Sequence, residues 1–273
     1  MTEASKARQR ERSGRMLRIA ILTLAVILLA VGGLMLFAGP MLFRMGLIDL
    51  LTARGSFMLL TMWVMLGAVV LGILGLVLAF VSGRHRSGIV AVLVTAAAGM
   101  SAGGIYSRAV VSQDDLPPIH DAQTDWNLPI AFTEATLKDR AAAGAVRVRD
   151  DAVVPEGNGR WTGMSFAAAQ ESFYDDLKPL MLDAKPEAVT QAAARAMERL
   201  GWRVSHTDAD AGVVEGVYRS PWYELAHDVA VRVVMEGQGS RVDIRATSRL
   251  PGHDTGENAG LVKQLRNEIV LAL

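Results

Sequence analysis

Three uncharged apolar runs fill the first third of this chain, and a lipid bilayer is the one solvent that suits them. Ile19 to Ala38, Gly55 to Gly83 and Ser87 to Ser107 carry no charged side chain. At about 1.5 Å per helical residue, each is long enough to cross a hydrocarbon core about 30 Å thick. The expectation is a basic tail over 1–18, then three transmembrane helices over about 19–38, 56–82 and 87–107. A basic start before an apolar run also suits a cleaved leader. This run is longer than a usual signal core, however, and Leu36-Phe37-Ala38 lacks a small residue three before the only plausible cut. It reads as a span.

Charge orients the spans. The tail carries Lys6, Arg8, Arg10, Arg12 and Arg15, and the second connection is Arg84-His85-Arg86. The first connection holds Arg44 and Arg54, offset by Asp49. The basic excess marks the tail and the short second loop as cytoplasmic, which places everything after Ser107 on the far side. Residues 1–105 hold 10 basic and 3 acidic side chains, against 18 and 25 in the remainder. The basic tail suits an anionic leaflet. An acidic outer part argues against nucleic acid, whose affinity comes largely from phosphate neutralisation. The absence of cysteine removes disulfides, thiolate nucleophiles and thiolate metal sites together, and it suits an oxidising compartment. The reading is a bacterial inner-membrane protein with a cytoplasmic N-terminus and a periplasmic C-terminal domain.

Transport and proton relay require ionisable groups at depth. The three runs have none, so they read as an anchor. Gly99 and Gly103, within the small-residue run from Ala96 to Gly104, read as contacts that let the three helices of one chain pack closely, in preference to homodimerisation.

Residues 108–130 read as an extended linker, with Leu116-Pro117-Pro118 at its centre, and 131–273 as the soluble domain. Ala131 to Leu182 has weak periodicity, with a clear turn only at Gly157-Asn158-Gly159. A helix is expected from Pro186, with Val189, Ala193, Ala196, Met197 and Leu200 on one face and Gly201 ending it. Strand-like runs follow at Arg203 to His206 with Gly212 to Tyr218, at Ala226 to Glu236 and at Arg241 to Leu250. A last helix carries Leu261, Leu265 and Ile269, capped by Asp254 or Thr255. The fold class is α+β: a three-helix anchor, then an antiparallel sheet flanked by two helices.

In the last hairpin Val229, Val231, Val233 and Met235 alternate with polar residues, as do Val242, Ile244 and Ala246. A turn at Gln238-Gly239 would set Met235 opposite Val242 and Val233 opposite Ile244. It would also set Glu236 opposite Arg241, Asp228 opposite Arg249 and Arg232 opposite Arg245. Facing arginines need neutralisation, for which Asp243 and Glu215 are the candidates. Two readings follow: an ion-pair network on a solvated face, or a ligand site for an anionic small molecule built from Arg232, Arg245, Arg249 and Asp243.

Several strings resemble a bacterial domain of unknown function, the family numbered 1499. They are Leu116-Pro117-Pro118-Ile119-His120-Asp121, Thr124-Asp125, Tyr174 and Asp176, Gly201-Trp202, Gly212 with Glu215, and Trp222. The runs Asp228 to Arg232 and Gly239 to Arg245, Ser248-Arg249, and Asp254 to Ala259 complete the set. The resemblance covers nearly all of 115–273 in order. It implies a domain that often follows membrane spans, and it implies no activity. The family commonly has two adjacent acids where this chain has His227-Asp228.

The candidate catalytic groups are His120 beside Asp121, with Asp228 and Asn258; an envelope hydrolase would need all four in one cleft. His206, His227 and His253 lie 20 or more residues apart, without metal-ligand spacing, and no phosphate loop or nucleophile elbow occurs, so neither metal nor cofactor is expected. Trp222-Tyr223 after Pro221 reads as an aromatic loop that either covers the core edge or anchors a partner. The favoured reading is a binding or scaffold module for an envelope component or partner protein, more a binder than an enzyme. The alternatives are the hydrolase and a lipid-binding or transfer domain with an apolar groove between helix and sheet.

Overall fold

The computed structural model describes residues 3–83, 85–106, 116–250 and 256–273. The chain divides into two compact units, residues 1–114 and 115–273.

In the first unit the apolar runs are helical: α1 (Glu3–Arg44), α2 (Phe57–Val81), entered through a π-helical turn at Thr52–Ser56, and α3 (His85–Tyr106). All three are long and apolar enough to cross a membrane. Close packing depends on glycines of α2. A Cβ on Gly72 would fall 2.2 Å from Thr95 Oγ1 of α3, and one on Gly75 would fall 2.5 Å from Leu22 of α1. The expected close packing through Gly99 and Gly103 is not made: a Cβ on Gly99 would meet only Val69 of α2, at 4.0 Å. Both glycines are exposed, and a Cβ on Gly103 would meet nothing within 4 Å, while Ala98 and Ala102 fill the interior instead. Small residues at i and i+4 define a face, and here the alanines one position away hold the inward face.

In the second unit six antiparallel strands form one sheet. They are β1 (Asp121–Gln123), β2 (Leu180–Leu182), β3 (Arg203–Asp208), β4 (Val213–Arg219), β5 (Ala226–Glu236) and β6 (Gly239–Ser248). The order is β1-β6-β5-β4-β3, and β2 also lies along β6. Together β1 and β2 close the outer side of β6, and Thr124 fills the gap between them. Its N–H donates to the Ile244 carbonyl at 3.0 Å, and its Oγ1 accepts from the Ile244 N–H at 3.0 Å. The opposite edge, β3, is irregular between Val204 and His206, a bulge of the kind that blunts an exposed edge. The compact unit therefore takes in residues 116–130, where a linker was expected, because β1 and its neighbours supply ladder bonds that β6 needs. Residues 107–115 lie outside the described residues.

One sheet face carries α6 (Pro186–Arg199) and α7 (Glu257–Ala272). The periodicity of α6 holds: Val189, Ala193, Ala196 and Met197 are fully buried, and Gly201 follows the helix at φ +75°. Leu261, Leu265 and Ile269 of α7 complete this core with Val229, Val231, Val233, Val242, Ile244 and Ala246. Arg195 and Arg199 of α6 donate to the last carbonyls of α7, at Ala272 and Leu271, where cations oppose the helix dipole. The expected caps Asp254 and Thr255 lie outside the described residues; α7 begins after Gly256, which sits at φ +79°.

The register of the β5–β6 hairpin differs from the expected one by two residues. The turn is Gly237-Gln238, with Gly237 at φ +63°, and the facing pairs are Val233 with Val242, Val231 with Ile244 and Arg232 with Asp243. Arg245 faces Ala230, so no arginine faces another. A two-residue slip keeps every side chain on its own face, so apolar alternation cannot detect it.

The polar face of the sheet is also covered. Residues 124–150 cross it, with α4 (Glu134–Ala142) at their centre, and Ile130 and Phe132 pack on Ala230. The expectation of a solvated face is overturned: Glu215, Asp228, Asp243 and Arg245 are each no more than 1% exposed. Beside this layer, Ile119, Val154, Trp161 and the α5 residues (Phe166–Phe173) Phe166 and Ala169 form a small second core.

Candidate functional site

The layer between sheet and α4 consists of arginines and aspartates that satisfy one another. Arg245 extends from β6 to Asp121 on β1, with Nε 3.0 Å from Oδ1 and Nη2 2.7 Å from Oδ2. Its Nη1 donates to the Ile130 carbonyl at 2.7 Å and to Asp150 at 2.8 Å. The rings of Trp126 and Phe132 flank its guanidinium at 5.9 and 6.0 Å. Burial works against the Arg245 charge, and Asp121 and Asp150 outweigh it. Burial pushes the Asp121 carboxyl up, against the pull of the same fork.

Asp228 on β5 is held from two sides. Arg249 takes both carboxylate oxygens, through Nε at 2.9 Å and Nη2 at 2.6 Å, and Arg140 of α4 bonds Oδ2. Arg140 also donates to the carbonyls of Val146 and Ser248, fixing the segment after α4 to the end of β6. Asp243 is shared by Arg232 at 3.0 Å and Arg241 at 3.1 Å, and Arg241 also pairs with Asp125. Glu215 has hydroxyl and amide partners: the Thr133 N–H, the Thr133 hydroxyl and the Thr136 hydroxyl all donate to it. An incoming anion would have to displace an aspartate from Arg245, Arg249 or Arg232.

On the other face, at the same end of the sheet, His227, Ser248 and Asn258 form a second polar cluster. Asn258 Nδ2 donates to the His120 carbonyl and to Ser248 Oγ, each at 3.0 Å. Its Oδ1 therefore accepts from His227 Nδ1 at 2.8 Å. That nitrogen carries a proton, so Ser248, 3.1 Å away, cannot pass its own proton to it. His227 Nε2 lies 3.4 Å from Glu257 of α7. The cluster ties α7 to the sheet.

The four catalytic candidates are thus not brought to one cleft. Asn258 meets only the backbone of His120, whose ring stands edge-on to Phe166 at 4.9 Å. Asp121 and Asp228 lie on the opposite face, each committed to arginine. Adjacent His227 and Asp228 point to opposite faces, as strand alternation requires. Among the described residues no group of three or more His, Asp or Glu is placed to hold a metal ion.

The two aromatics of the β4–β5 turn separate. Tyr223 is 9% exposed, while Trp222 is 46% exposed. The turn is tightly held: Ser220 N–H donates to the Leu225 carbonyl at 3.0 Å, and the Glu224 N–H to the Ser220 carbonyl at 2.9 Å. Among the described residues Glu224 is the only non-glycine with positive φ, at +52°.

The family model described as a protein of unknown function (DUF1499) matches residues 121–269, more than half of the chain. The match starts at the Arg245 partner on β1 and ends in α7, so it encloses both polar clusters. The chain belongs to this family. A search of curated proteins finds no match. The DUF1499 domain here follows three helices of membrane-spanning length and apolarity.

Arg140, Thr133 and Thr136 were not singled out from the sequence. Thr136 and Arg140 lie four residues apart on α4, so the buried face of this helix is polar and breaks the usual amphipathic rule. The one local signal was Thr133 as N-cap, whose hydroxyl accepts from the Thr136 N–H.

Proposed function

We propose that this protein is an inner-membrane-anchored binding module. The DUF1499 domain would lie in the periplasm and engage an envelope protein through the Trp222 turn. The carrying observation is the split of Trp222 from Tyr223: a large aromatic, 46% exposed, on a turn fixed by Ser220 and by a strained Glu224. Backbone strain in a non-glycine residue collects where a side chain is presented for a purpose, and tryptophan is the residue most enriched among interface anchors. The arginine layer supports this role as a rigid base, since it holds β4, β5 and β6 to α4 independently of any ligand. The N-terminus would be cytoplasmic, on the strength of the basic tail and second connection.

Two experiments test this. Reporter fusions after Leu273 read the orientation: a reporter active only in the periplasm should be active, and one active only in the cytoplasm should be silent. A photocrosslinking residue at position 222 in cells should give a discrete adduct that a probe at Glu187, on α6, does not give. No difference between the two positions would sink the partner reading.

A further inference from the structure

The α2–α3 hairpin has an apolar groove on its surface with a volume of about 370 Å³. Leu76, Ala79 and Phe80 line it from α2, and Gly88, Ile89 and Val92 from α3. Gly88 keeps it open: a Cβ there would already touch Ala79 at 3.7 Å, so any longer side chain would enter the groove. Its flanks face outward, with Phe80 88% and Ile89 60% exposed. The apolar lining gives room for a stretch of acyl chain.

The groove lies beside the short connection from α2 to α3, where two arginines gather. Arg86 is exposed and precedes Ile89 and Leu93 by three and seven residues, so it shares their helical face. Arg18 of α1 is 8% exposed and donates through Nη1 to Ser82 Oγ at 2.6 Å, at the end of α2. An apolar slot beneath a guanidinium matches a lipid tail beneath a phosphate, and the planar fork suits phosphate oxygens.

We infer that this groove binds one anionic phospholipid, its acyl chain along Ile89 and Val92 and its phosphate on Arg86. Arg18 adds positive potential from α1 while it holds Ser82. The inference rests on the three helices crossing a membrane.

The test uses the full chain purified in mild detergent. Native mass spectrometry with equal phosphatidylglycerol and phosphatidylethanolamine reads retained lipid, after carbonate extraction has established that the chain is embedded. Wild type should retain one phosphatidylglycerol with a clear preference. Arg86→Gln should lower that preference about fivefold, the effect of one basic side chain at an anionic surface. Gly88→Leu should abolish retention of either lipid, while Gly88→Ala, whose Cβ fits, should behave as wild type. Equal retention of the two lipids by wild type overturns the inference, as does unaltered retention in both Arg86→Gln and Gly88→Leu. Loss of the chain from the membrane fraction would instead overturn the anchor.

Discussion

Arg245 and Asp121, 124 positions apart, meet inside the domain as a two-pronged ion pair in which both side chains are at most 3% exposed. The pair joins the last strand to the first segment of the domain. The enclosed charge is expensive to desolvate, and removing one partner leaves the other uncompensated.

Arg245→Ala should therefore cost about 3–5 kcal/mol, the range for breaking a buried pair. Asp121→Ala with Arg245→Ala should cost less than the sum of the single changes, because neither charge is then left alone. Urea unfolding of the full chain in detergent, completed as a double-mutant cycle, measures the coupling. Additive losses would show that the pair does not act as a unit.

Glu215 receives three donors from the start of α4 and is 1% exposed. Thr136→Val preserves shape and removes one donor, so it should destabilise by about 1–3 kcal/mol. Amide exchange should rise across Glu134–Ala142 while β5 and β6 stay protected. Uniform loosening of the whole domain would contradict a local role.

Burial pushes the His120 imidazole down from its ordinary value of 6.5, with Arg140 acting in the same direction and Asp121 against both. As pH falls below about 6.5 the unfolded chain takes up this proton before the folded one. Stability is then lost with falling pH until the folded group also titrates. His120→Gln should flatten that part of the profile, read as the difference between variant and wild-type unfolding midpoints from pH 7.5 to 5. Parallel profiles would assign the slope to other groups.

A Cβ on Gly239 would lie 2.2 Å from the Leu182 carbonyl oxygen. Gly239→Ala should force β2 off the edge of β6 and destabilise by about 1–3 kcal/mol, the usual penalty for overpacking. Exchange of the Leu180–Leu182 amides should rise most. Unchanged protection there would mean that the edge can shift to admit the methyl.

The sequence by itself determined the elements whose information is local. Three apolar runs become three helices because length and apolarity suffice, and α6 and α7 follow from a 3.6-residue repeat that needs no partner to be read. Alternation in β5 and β6 likewise fixed which side chains share a face. Tertiary structure decided the rest. The hairpin register differs from the expected one by two residues, a slip that alternation cannot register; Gly237 at φ +63° and the close approach of Leu182 to Gly239 select it. The burial of Arg245 and the pairing of Asp228 with Arg140 depend on residues 124–150 crossing the polar face, and the dispersal of His120, Asp121, Asp228 and Asn258 follows from the two faces of the assembled sheet. A helix that buries threonine and arginine has no apolar stripe, so only the charges waiting on the sheet show where it belongs.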